Sequence, residues 1–318
     1  MSGRILALAG GVGGAKLALG LSHVLPPDAL TVAVNTADDF EHLGFSISPD
    51  LDTVMYTLAG VANPETGWGR QGESWTVMEA LGAVGGETWF RLGDKDLATH
   101  IERTRRLRAG ESLSSVMRDL AARLGVKPAM VPMSDDPVRT MVATDQGELA
   151  FQDWFVRLQC KPVVKSVRFA GAETARPHPA LLDLDGLRAI VVCPSNPFVS
   201  VAPILALPRV QPTLARLKAP RIAVTPIVGG QAIKGPAAKM LAELGHDVSA
   251  LGVARYYKGW VDGFVLDAQD AALADDIAAL GMRVRVSDTM MRNDADKKRL
   301  AAEVLDFVDE LTVSGQHS

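Results

Sequence analysis

The sequence is poor in cysteine, and this limits the sites and scaffolds that it can build. Its two cysteines, Cys160 and Cys193, lie 33 residues apart and form no CxxC pair. Disulfide frameworks and structural zinc sites need more cysteines or closer spacings, so neither is expected here. The six histidines show no HExxH or other metal-ligand spacing, and no GxSxG motif marks a serine nucleophile.

The chain also lacks an excess of positive charge. Lysine and arginine number 33 against 37 aspartates and glutamates, which leaves a formal net charge of -4. Such a chain has no surplus of cations to neutralise a nucleic-acid backbone or an anionic membrane. No apolar run reaches the roughly 18 residues of a membrane span, and the first run is too short for a signal peptide. We therefore expect a cytoplasmic protein that binds neither nucleic acid nor membranes.

What the 318 residues do contain is a series of short apolar runs, most of them followed by a glycine- or proline-rich break and a helical pattern. The runs have no polar alternation, as expected for strands buried on both faces of a parallel sheet. Strands are predicted at residues 5–9, 31–35, 189–193, 221–225, 263–267 and 283–287. Helices are predicted at residues 15–24, 51–59, 236–244, 271–280 and 296–311. The pattern indicates an α/β fold with a doubly wound, mainly parallel sheet.

Residues 61–185 have a different character. Two consecutive amphipathic helices are predicted there, at 94–109 and 112–124, and then a hairpin with strands 138–144 and 148–156 around Asp145-Gln146-Gly147. We therefore expect a discontinuous core, made of residues 1–60 and 186–318. The segment 61–185 is expected to be an inserted, mostly helical cap.

A glycine-rich loop, Gly10-Gly11-Val12-Gly13-Gly14-Ala15-Lys16, follows the first predicted strand and opens the first helix. Glycines there let the backbone approach a phosphate, while free N–H groups and the helix dipole favour an anion. The loop is not a Walker A motif, because Leu17 follows Lys16, and it does not match GxGxxG cleanly. We interpret it as a phosphate-binding loop; the alternative is a tight strand–helix turn.

Carboxylates come next along the chain. Asp38 and Asp39 follow the second predicted strand, at the sheet edge where ligands of doubly wound folds bind. Asp50 and Asp52 open the helix after it. Such groups could hold a ribose hydroxyl or magnesium, and the alternative is that they cap helices and turns. Arg91, just before another predicted helix, is free to reach a ligand.

Two later loops complete the set. Pro194-Ser195-Asn196-Pro197 follows a predicted strand and forms a rigid polar loop, suited to phosphate or base contacts or simply a proline-stiffened turn. Lys234, near the start of a later helix, could belong to a second anion site. Glycine loops, carboxylates and lysines are together the components of metal-assisted phosphoryl transfer.

Seven segments form an ordered pattern over residues 5–291: GGVGGAK, NTADD, SPDLDT, LGDKDLATH, PMSDDPV, SNPF and GPAAK. In order and spacing this pattern resembles the 2-phospho-L-lactate transferase family of deazaflavin coenzyme (coenzyme F-420) biosynthesis. The resemblance implies a Rossmann-like core with a helical extra region. It also implies transfer of a phospho-acid from its guanosine-diphosphate-activated form to the side-chain hydroxyl of the deazaflavin Fo. GMP would leave, with magnesium as the required cofactor.

The resemblance also implies roles for individual residues. Asp52 and Arg91 match positions that contact Fo, and Asp39 and Asp52 are the expected catalytic carboxylates and magnesium ligands. The expected nucleotide- and phosphate-binding residues are Gly10, Gly11, Gly13, Gly14, Lys16, Ser195, Asn196 and Pro197. The loop lacks the threonines of some relatives, so hydroxyl contacts there are not expected.

The identity of the phospho-acid and the class of function both stay open at this point. Family members use 2-phospholactate, phosphoenolpyruvate or 3-phosphoglycerate as the phospho-acid, and no motif here selects one. Another function class is a non-catalytic regulator that binds a nucleotide sugar through a similar glycine loop. A nicotinamide-dependent dehydrogenase is the third, disfavoured by the imperfect GxGxxG. For the assembly we expect a homodimer.

Overall fold

A computed structural model of the protein describes residues 3–315, and the predicted apolar runs form strands in it. The strands are β1 (Arg4–Ala9), β2 (Leu30–Val34), β3 (Phe40–His42), β4 (Phe45–Ile47), β5 (Ala129–Pro132), β6 (Arg139–Thr144), β7 (Gly147–Ala150), β8 (Val164–Ala170), β9 (Leu187–Val192), β10 (Arg221–Val224), β11 (Ile227–Val228), β12 (Gln231–Ala232), β13 (Gly263–Asp267) and β14 (Arg283–Ser287). The helices are α1 (Gly11–Val24), α2 (Pro49–Leu58), α3 (Thr76–Ala83), α4 (Asp94–Arg108), α5 (Leu113–Arg123), α6 (Ala202–Ala206), α7 (Val210–Ala215), α8 (Ala237–Glu243), α9 (Ala250–Tyr256), α10 (Ala274–Ala278) and α11 (Asp294–Gly315). No helix within residues 3–315 is long and apolar enough to cross a membrane.

Seven parallel strands form the central sheet, in the order β14-β13-β10-β9-β1-β2-β5. The chain adds β2 and β5 on one side of β1 and then β9, β10, β13 and β14 on the other. This is the doubly wound, Rossmann-like order, so the predicted fold class is confirmed. The strand order reverses between β1 and β9, and the crevice at their carboxyl ends is where such folds bind ligands.

The first strand explains why the apolar runs show no alternation. Ile5, Ala7 and Ala9 pack into the core on one face of the sheet, whereas Leu6 and Leu8 pack into the core on the other. All five side chains are buried, because helices cover one face and helices with a small sheet cover the other. A strand buried on both faces must be apolar at every position.

The segment 61–185 is largely as expected, with one correction. Helices α4 and α5 are present, and Ser112 caps α5 by accepting a hydrogen bond from the Ser115 N–H (3.2 Å). The hairpin β6–β7 is present too, although its second strand ends at Ala150 and a helical turn follows. However, β5 lies in this segment and pairs with β2 at the edge of the central sheet. Residues 61–185 are therefore not wholly an insertion.

Close packing of α1 on α11 covers one face of the sheet and generates a stability prediction. A Cβ added at Gly20 in α1 would lie 2.2 Å from the Lys297 carbonyl oxygen in α11, whereas one at the exposed Gly82 in α3 would meet nothing closer than 3.5 Å. Gly20→Ala should therefore lower the free energy of unfolding by about 1–3 kcal/mol. Gly82→Ala, the matched control, should raise it by up to about 1 kcal/mol through helix propensity. Urea denaturation of both variants tests this, and equal effects would contradict the packing argument.

Candidate active site

The crevice between β1 and β9 is closed by two loops in direct contact. A Cβ added at Gly13 would lie 2.2 Å from the Pro194 carbonyl oxygen, and one at Gly14 would lie 2.4 Å from Ser195 Oγ. Ser195 Oγ accepts a hydrogen bond from the Gly10 N–H (3.1 Å) and donates one to the Gly10 carbonyl (2.9 Å). The glycines therefore allow the glycine loop to pack against the loop after β9. This packing is a reason for glycine that is separate from any ligand.

Asp50, in the first turn of α2, lies against the same glycine loop. Its Oδ1 accepts a hydrogen bond from the N–H of Gly11 (2.7 Å), which has the left-handed φ of +61°. Its Oδ2 accepts one from Asn35 Nδ2 (3.0 Å) at the end of β2. The carboxylate thus joins β2, α2 and the start of α1 at the ligand-binding edge of the sheet.

Two more carboxyl groups, Asp38 and Asp39, follow β2, and Asp38 is a neighbour of Asp50. Burial, with the neighbouring Asp50 carboxylate, raises the pKa of Asp38 well above its usual value. Burial raises the pKa of Asp50 to about 6. Burial also raises the pKa of Asp39 to about 8, although the Ser48 hydroxyl and the Arg103 charge oppose this. The Oδ1 atoms of Asp38 and Asp39 are buried without a hydrogen-bond partner. These carboxyl groups therefore need a proton or a cation as a partner.

Asp52 has a different environment, because it is locked in a buried ion pair. Arg103 in α4 donates from Nη1 to Asp52 Oδ1 (2.6 Å) and from Nη2 to Oδ2 (2.8 Å), and its side chain is 0% exposed. Arg103 Nε also donates to the Ser46 carbonyl (3.0 Å). The guanidinium therefore holds α4 against both α2 and β4, and it occupies both oxygens of Asp52.

Asp52, Asp96 and His100 bring ligand atoms within 4.8 Å of one another, which is a candidate metal group. The donor set does not fit a metal ion, because Arg103 Nη2 also donates to His100 Nδ1 (2.7 Å). Because an arginine side chain cannot accept a hydrogen bond, His100 Nδ1 is the acceptor and carries no proton. His100 Nε2 lies 3.3 Å from Asp96 Oδ1. Tyr56 OH donates to the same Asp96 oxygen (2.7 Å). The group is an ion-pair network between α2 and α4 in which Arg103 is the cation.

Two cavities lie beside Asp39. The larger, of about 270 Å³, is lined by Asp38, Asp39 and several aromatic side chains, including His42 and Trp89, whose rings meet edge to face at 5.0 Å. The smaller, of about 180 Å³, shares Asp39 with the larger one. Neither lining includes Asp52 or Arg91. The exposed Arg91 instead stacks on the ring of Trp75 at 4.1 Å.

The remaining predicted residues surround the glycine loop. Lys16 is half-buried and donates from Nζ to the Met291 carbonyl (3.0 Å). Asn196 Oδ1 accepts from the Phe198 N–H (2.9 Å) and so fixes the turn that begins at Pro197. The structure thus brings together the glycine loop, Lys16 and Ser195–Pro197 but not Arg91. It also brings Asp50, a candidate from the sequence, against the glycine loop with Asp38 as its neighbour, and it adds Arg103, which the sequence analysis does not name. A signal for Arg103 exists in the sequence, since Asp96, His100 and Arg103 share one face of a helix by their spacing.

The ion pair gives the first prediction for the site. Asp52→Ala leaves the buried Arg103 charge unpaired, so it should lower the free energy of unfolding by about 3–5 kcal/mol. Asp183→Ala is the matched control, because it removes the partner of Arg4 from an ion pair at the surface, where Asp183 is 48% exposed. The control should change stability little, since exposed pairs contribute little. Urea denaturation measures both, and an Asp52→Ala variant as stable as wild type would show that the pair does not hold α4 in place.

The raised pKa of Asp39 gives a pH prediction. Folding in neutral solution must protonate this carboxyl or bury its charge, so the wild type loses stability as the pH rises from about 4, the usual value, to about 8, the value in the fold. Asp39→Asn keeps an acceptor for Ser48 and carries no charge. Its stability advantage over wild type should widen across that pH range and level off above it. Denaturation in EDTA at a series of pH values measures this, and a constant difference would contradict it.

Comparison with known proteins identifies the family. A family model described as 2-phospho-L-lactate transferase CofD matches residues 5–306. A phosphoenolpyruvate transferase of Streptomyces griseus is 41% identical, over 97% of this chain and 99% of its own. The 2-phospho-L-lactate transferases of Methanopyrus kandleri and Methanosarcina mazei are 40% and 37% identical, over 98% and 95% of this chain and 99% of their own.

Solved structures agree on the fold. The crystal structure of a UPF0052 family member from Bacillus halodurans matches with a TM-score of 0.61 and 14% identity, covering 96% of this chain and 99% of that one. A second structure of the protein from that organism matches with a TM-score of 0.62 and 15% identity, covering 96% and 100%. At this identity the likeness supports the fold alone. Because the family model and the curated relatives span nearly the whole chain, the chain is a transferase that belongs to the 2-phospho-L-lactate transferase family, CofD.

Proposed function

We propose that the protein transfers a phospho-acid from its guanosine-diphosphate-activated form to the side-chain hydroxyl of the deazaflavin Fo, in coenzyme F-420 biosynthesis. The observation that carries this proposal is the group of buried carboxyl groups, Asp38, Asp39 and Asp50, between the glycine loop and the aromatic cavity. A transferase needs a nucleotide end, an acceptor end and acidic groups between them. The order of the glycine loop, these carboxyl groups and the aromatic cavity supports the proposal.

The nucleotide end of the proposal is the glycine loop with the loop after β9. The first-turn N–H groups of Val12 and Gly13 have no acceptor inside α1, as at every helix start, and they can bind phosphate oxygens. Lys16 supplies positive charge beside them. Ser195, Asn196 and Pro197 border the same crevice and are our candidates for contact with the guanosine.

Asp38 and Asp50 are the residues that we propose for magnesium. They fit the ion because they are neighbouring buried carboxyl groups that disfavour each other's charge, and Asp38 Oδ1 has no partner. Carboxylate oxygens are the protein ligands that magnesium prefers. When bound, magnesium would neutralise charge on the diphosphate. We do not assign Asp52 to the ion, because the buried Arg103 guanidinium already neutralises its charge, whereas the donors to Asp50 are neutral.

The acceptor end is the larger cavity, where we propose that aromatic side chains such as Trp89 and Phe151 receive the deazaflavin ring. Asp39 borders this cavity, and a pKa near neutrality suits a group that takes a proton. In the proposed reaction the hydroxyl oxygen of Fo bonds to the phosphorus that carries the acid. The bond from that phosphorus to GMP breaks, and the hydroxyl proton passes to Asp39.

The names of the relatives do not select the phospho-acid. Phosphoenolpyruvate transferases of Streptomyces are 40–41% identical to this chain, and the 2-phospho-L-lactate transferase of Methanopyrus kandleri is 40% identical. Phosphoenolpyruvate, 2-phospholactate and 3-phosphoglycerate are therefore tested side by side. We carry forward a cytoplasmic location and a homodimer as further proposals, the latter tested by light scattering of the purified protein.

The reaction is tested by an end-point assay with purified protein, Fo, magnesium and GTP. A guanylyltransferase that makes the activated donor is added, and each phospho-acid has its own tube. We expect mass spectrometry to detect a deazaflavin phosphodiester and GMP in at least one tube. If the activated acids are present and no product forms in any tube, the transferase proposal fails. GDP binding in that case would favour the non-catalytic regulator.

The role of Asp39 is tested in the productive tube. Asp39→Asn should lower turnover by roughly 10²-fold or more, because it removes the proton acceptor. Asp38→Asn should instead raise the magnesium concentration needed for half-maximal rate. The surface variant Asp183→Asn is the control and should match wild type. Near-normal turnover of Asp39→Asn would remove Asp39 from the mechanism.

A further inference from the structure

Lys234, which is 218 residues from Lys16 in the sequence, lies beside the glycine loop in the fold. A Cβ added at Gly67 would lie 2.7 Å from Val12 Cγ1 and 3.0 Å from Lys234 Nζ, so the lysine is a neighbour of the first turn of α1. Burial lowers the pKa of Lys16, and Lys234 is the charge that lowers it most. The two ammonium groups therefore lie close enough to repel each other.

Neither ammonium group has an acidic partner in the part of the chain that the structure describes. Within residues 3–315, no carboxylate lies at ion-pair distance from Lys16 or Lys234, whereas the nearby Lys297 pairs with Asp294 at 2.8 Å. Lys16 donates to the Met291 carbonyl (3.0 Å). Lys234 donates to the carbonyls of a loop, described next. Two neighbouring cations whose hydrogen-bond partners are all neutral form a region of positive potential, which attracts an anion.

The loop that Lys234 contacts is residues 63–69, which we call the strap. Lys234 Nζ donates to the Thr66 carbonyl (2.6 Å) and lies 3.4 Å from the Glu65 carbonyl. The strap is closed on itself, because the Asn63 N–H donates to the Gly69 carbonyl (3.1 Å) and the Gly67 N–H donates to the Asn63 carbonyl (2.9 Å). These internal hydrogen bonds fix the shape of the strap, and the Lys234 contact joins it to the first turn of α1.

We propose that Lys234 binds the diphosphate of the donor together with Lys16, and that it exchanges the Thr66 carbonyl for a phosphate oxygen when it does so. The inference rests on the proposed function for the identity of the donor. In this proposal, the second anion site that the sequence predicts at Lys234 and the glycine-loop site are one site. It also makes the strap a part of the protein that responds to the donor. A charged phosphate oxygen is a stronger acceptor for an ammonium than a carbonyl is.

Calorimetric titration of the full chain with GDP, inorganic diphosphate and guanosine tests the proposal. Lys234→Gln should weaken GDP and diphosphate binding at least tenfold and change guanosine binding less than twofold. Lys234→Arg should retain more affinity than Lys234→Gln, because it keeps the charge. Lys218→Gln, at another exposed lysine, is the matched control and should bind all three like wild type.

The outcomes separate this inference from the proposed function. Unchanged GDP and diphosphate affinity in Lys234→Gln, or an equal loss for guanosine, would overturn the role of Lys234 and leave it as a strap contact only. A second outcome is that wild type binds diphosphate in a Lys234-dependent way but does not bind GDP. This result would support diphosphate binding by the two lysines and contradict a guanosine-linked donor. Wild-type protein that binds neither diphosphate nor GDP would overturn both.

Trp68 supplies a second readout, because it lies in the strap and is 44% exposed. We expect GDP to change tryptophan fluorescence in wild type, and this change should be lost in Trp68→Phe and reduced in Lys234→Gln. A signal that persists in Trp68→Phe would come from another tryptophan. In that case the strap does not respond to the donor.

Discussion

The close contact between the glycine loop and the loop after β9 is the constraint on which the site depends. At Gly13 and Gly14 any side chain would collide with Pro194 or Ser195, so the ends of β1 and β9 meet only when both positions are glycine. Because the strand order reverses at this place, the contact sets where α1 begins relative to the crevice. Asp50 then reaches the Gly11 N–H from α2. Glycine here serves backbone packing first, and access of a phosphate to the free N–H groups follows from the same geometry.

The sequence predicted six of the seven central strands, because burial on both faces leaves a local signal. The missing strand, Ala129–Pro132, lies at the sheet edge, ends in a proline and is buried at only two of its four positions, so it lacks the signal of a strand buried on both faces. The prediction that the second hairpin strand runs to residue 156 is wrong for a different reason. Beyond Ala150 the chain turns to bury Trp154, whose Nε1 donates to the Pro162 carbonyl (2.9 Å), and that contact is not encoded in alternation.

For the site, the sequence located the loops but could not determine their partners. Position at the carboxyl end of a strand is a local property, which is why the glycine loop, Asp38 and Ser195 were all found. The environment of each carboxylate depends on residues far along the chain. Asp52 resembles a catalytic group by motif, yet Arg103, 51 residues later, donates to both of its oxygens and neutralises its charge. Asp38 and Asp39 are neighbours in sequence but have different surroundings. The charge of Asp50 raises the pKa of Asp38, whereas Asp39 accepts a hydrogen bond from Ser48.

Charge is segregated around the glycine loop, and each side is unfavourable without a ligand of the opposite sign. On the acidic side, the raised pKa values of Asp38 and Asp50 mean that their negative charges are disfavoured. On the basic side, the lowered pKa of Lys16 means that its positive charge is disfavoured. A diphosphate alone would satisfy the lysines but repel the carboxylates, and a divalent cation alone would do the opposite. A diphosphate carrying a divalent cation relieves both sides together. Binding of the proposed donor and of magnesium should therefore be mutually reinforcing, since each removes a repulsion that the other would otherwise meet.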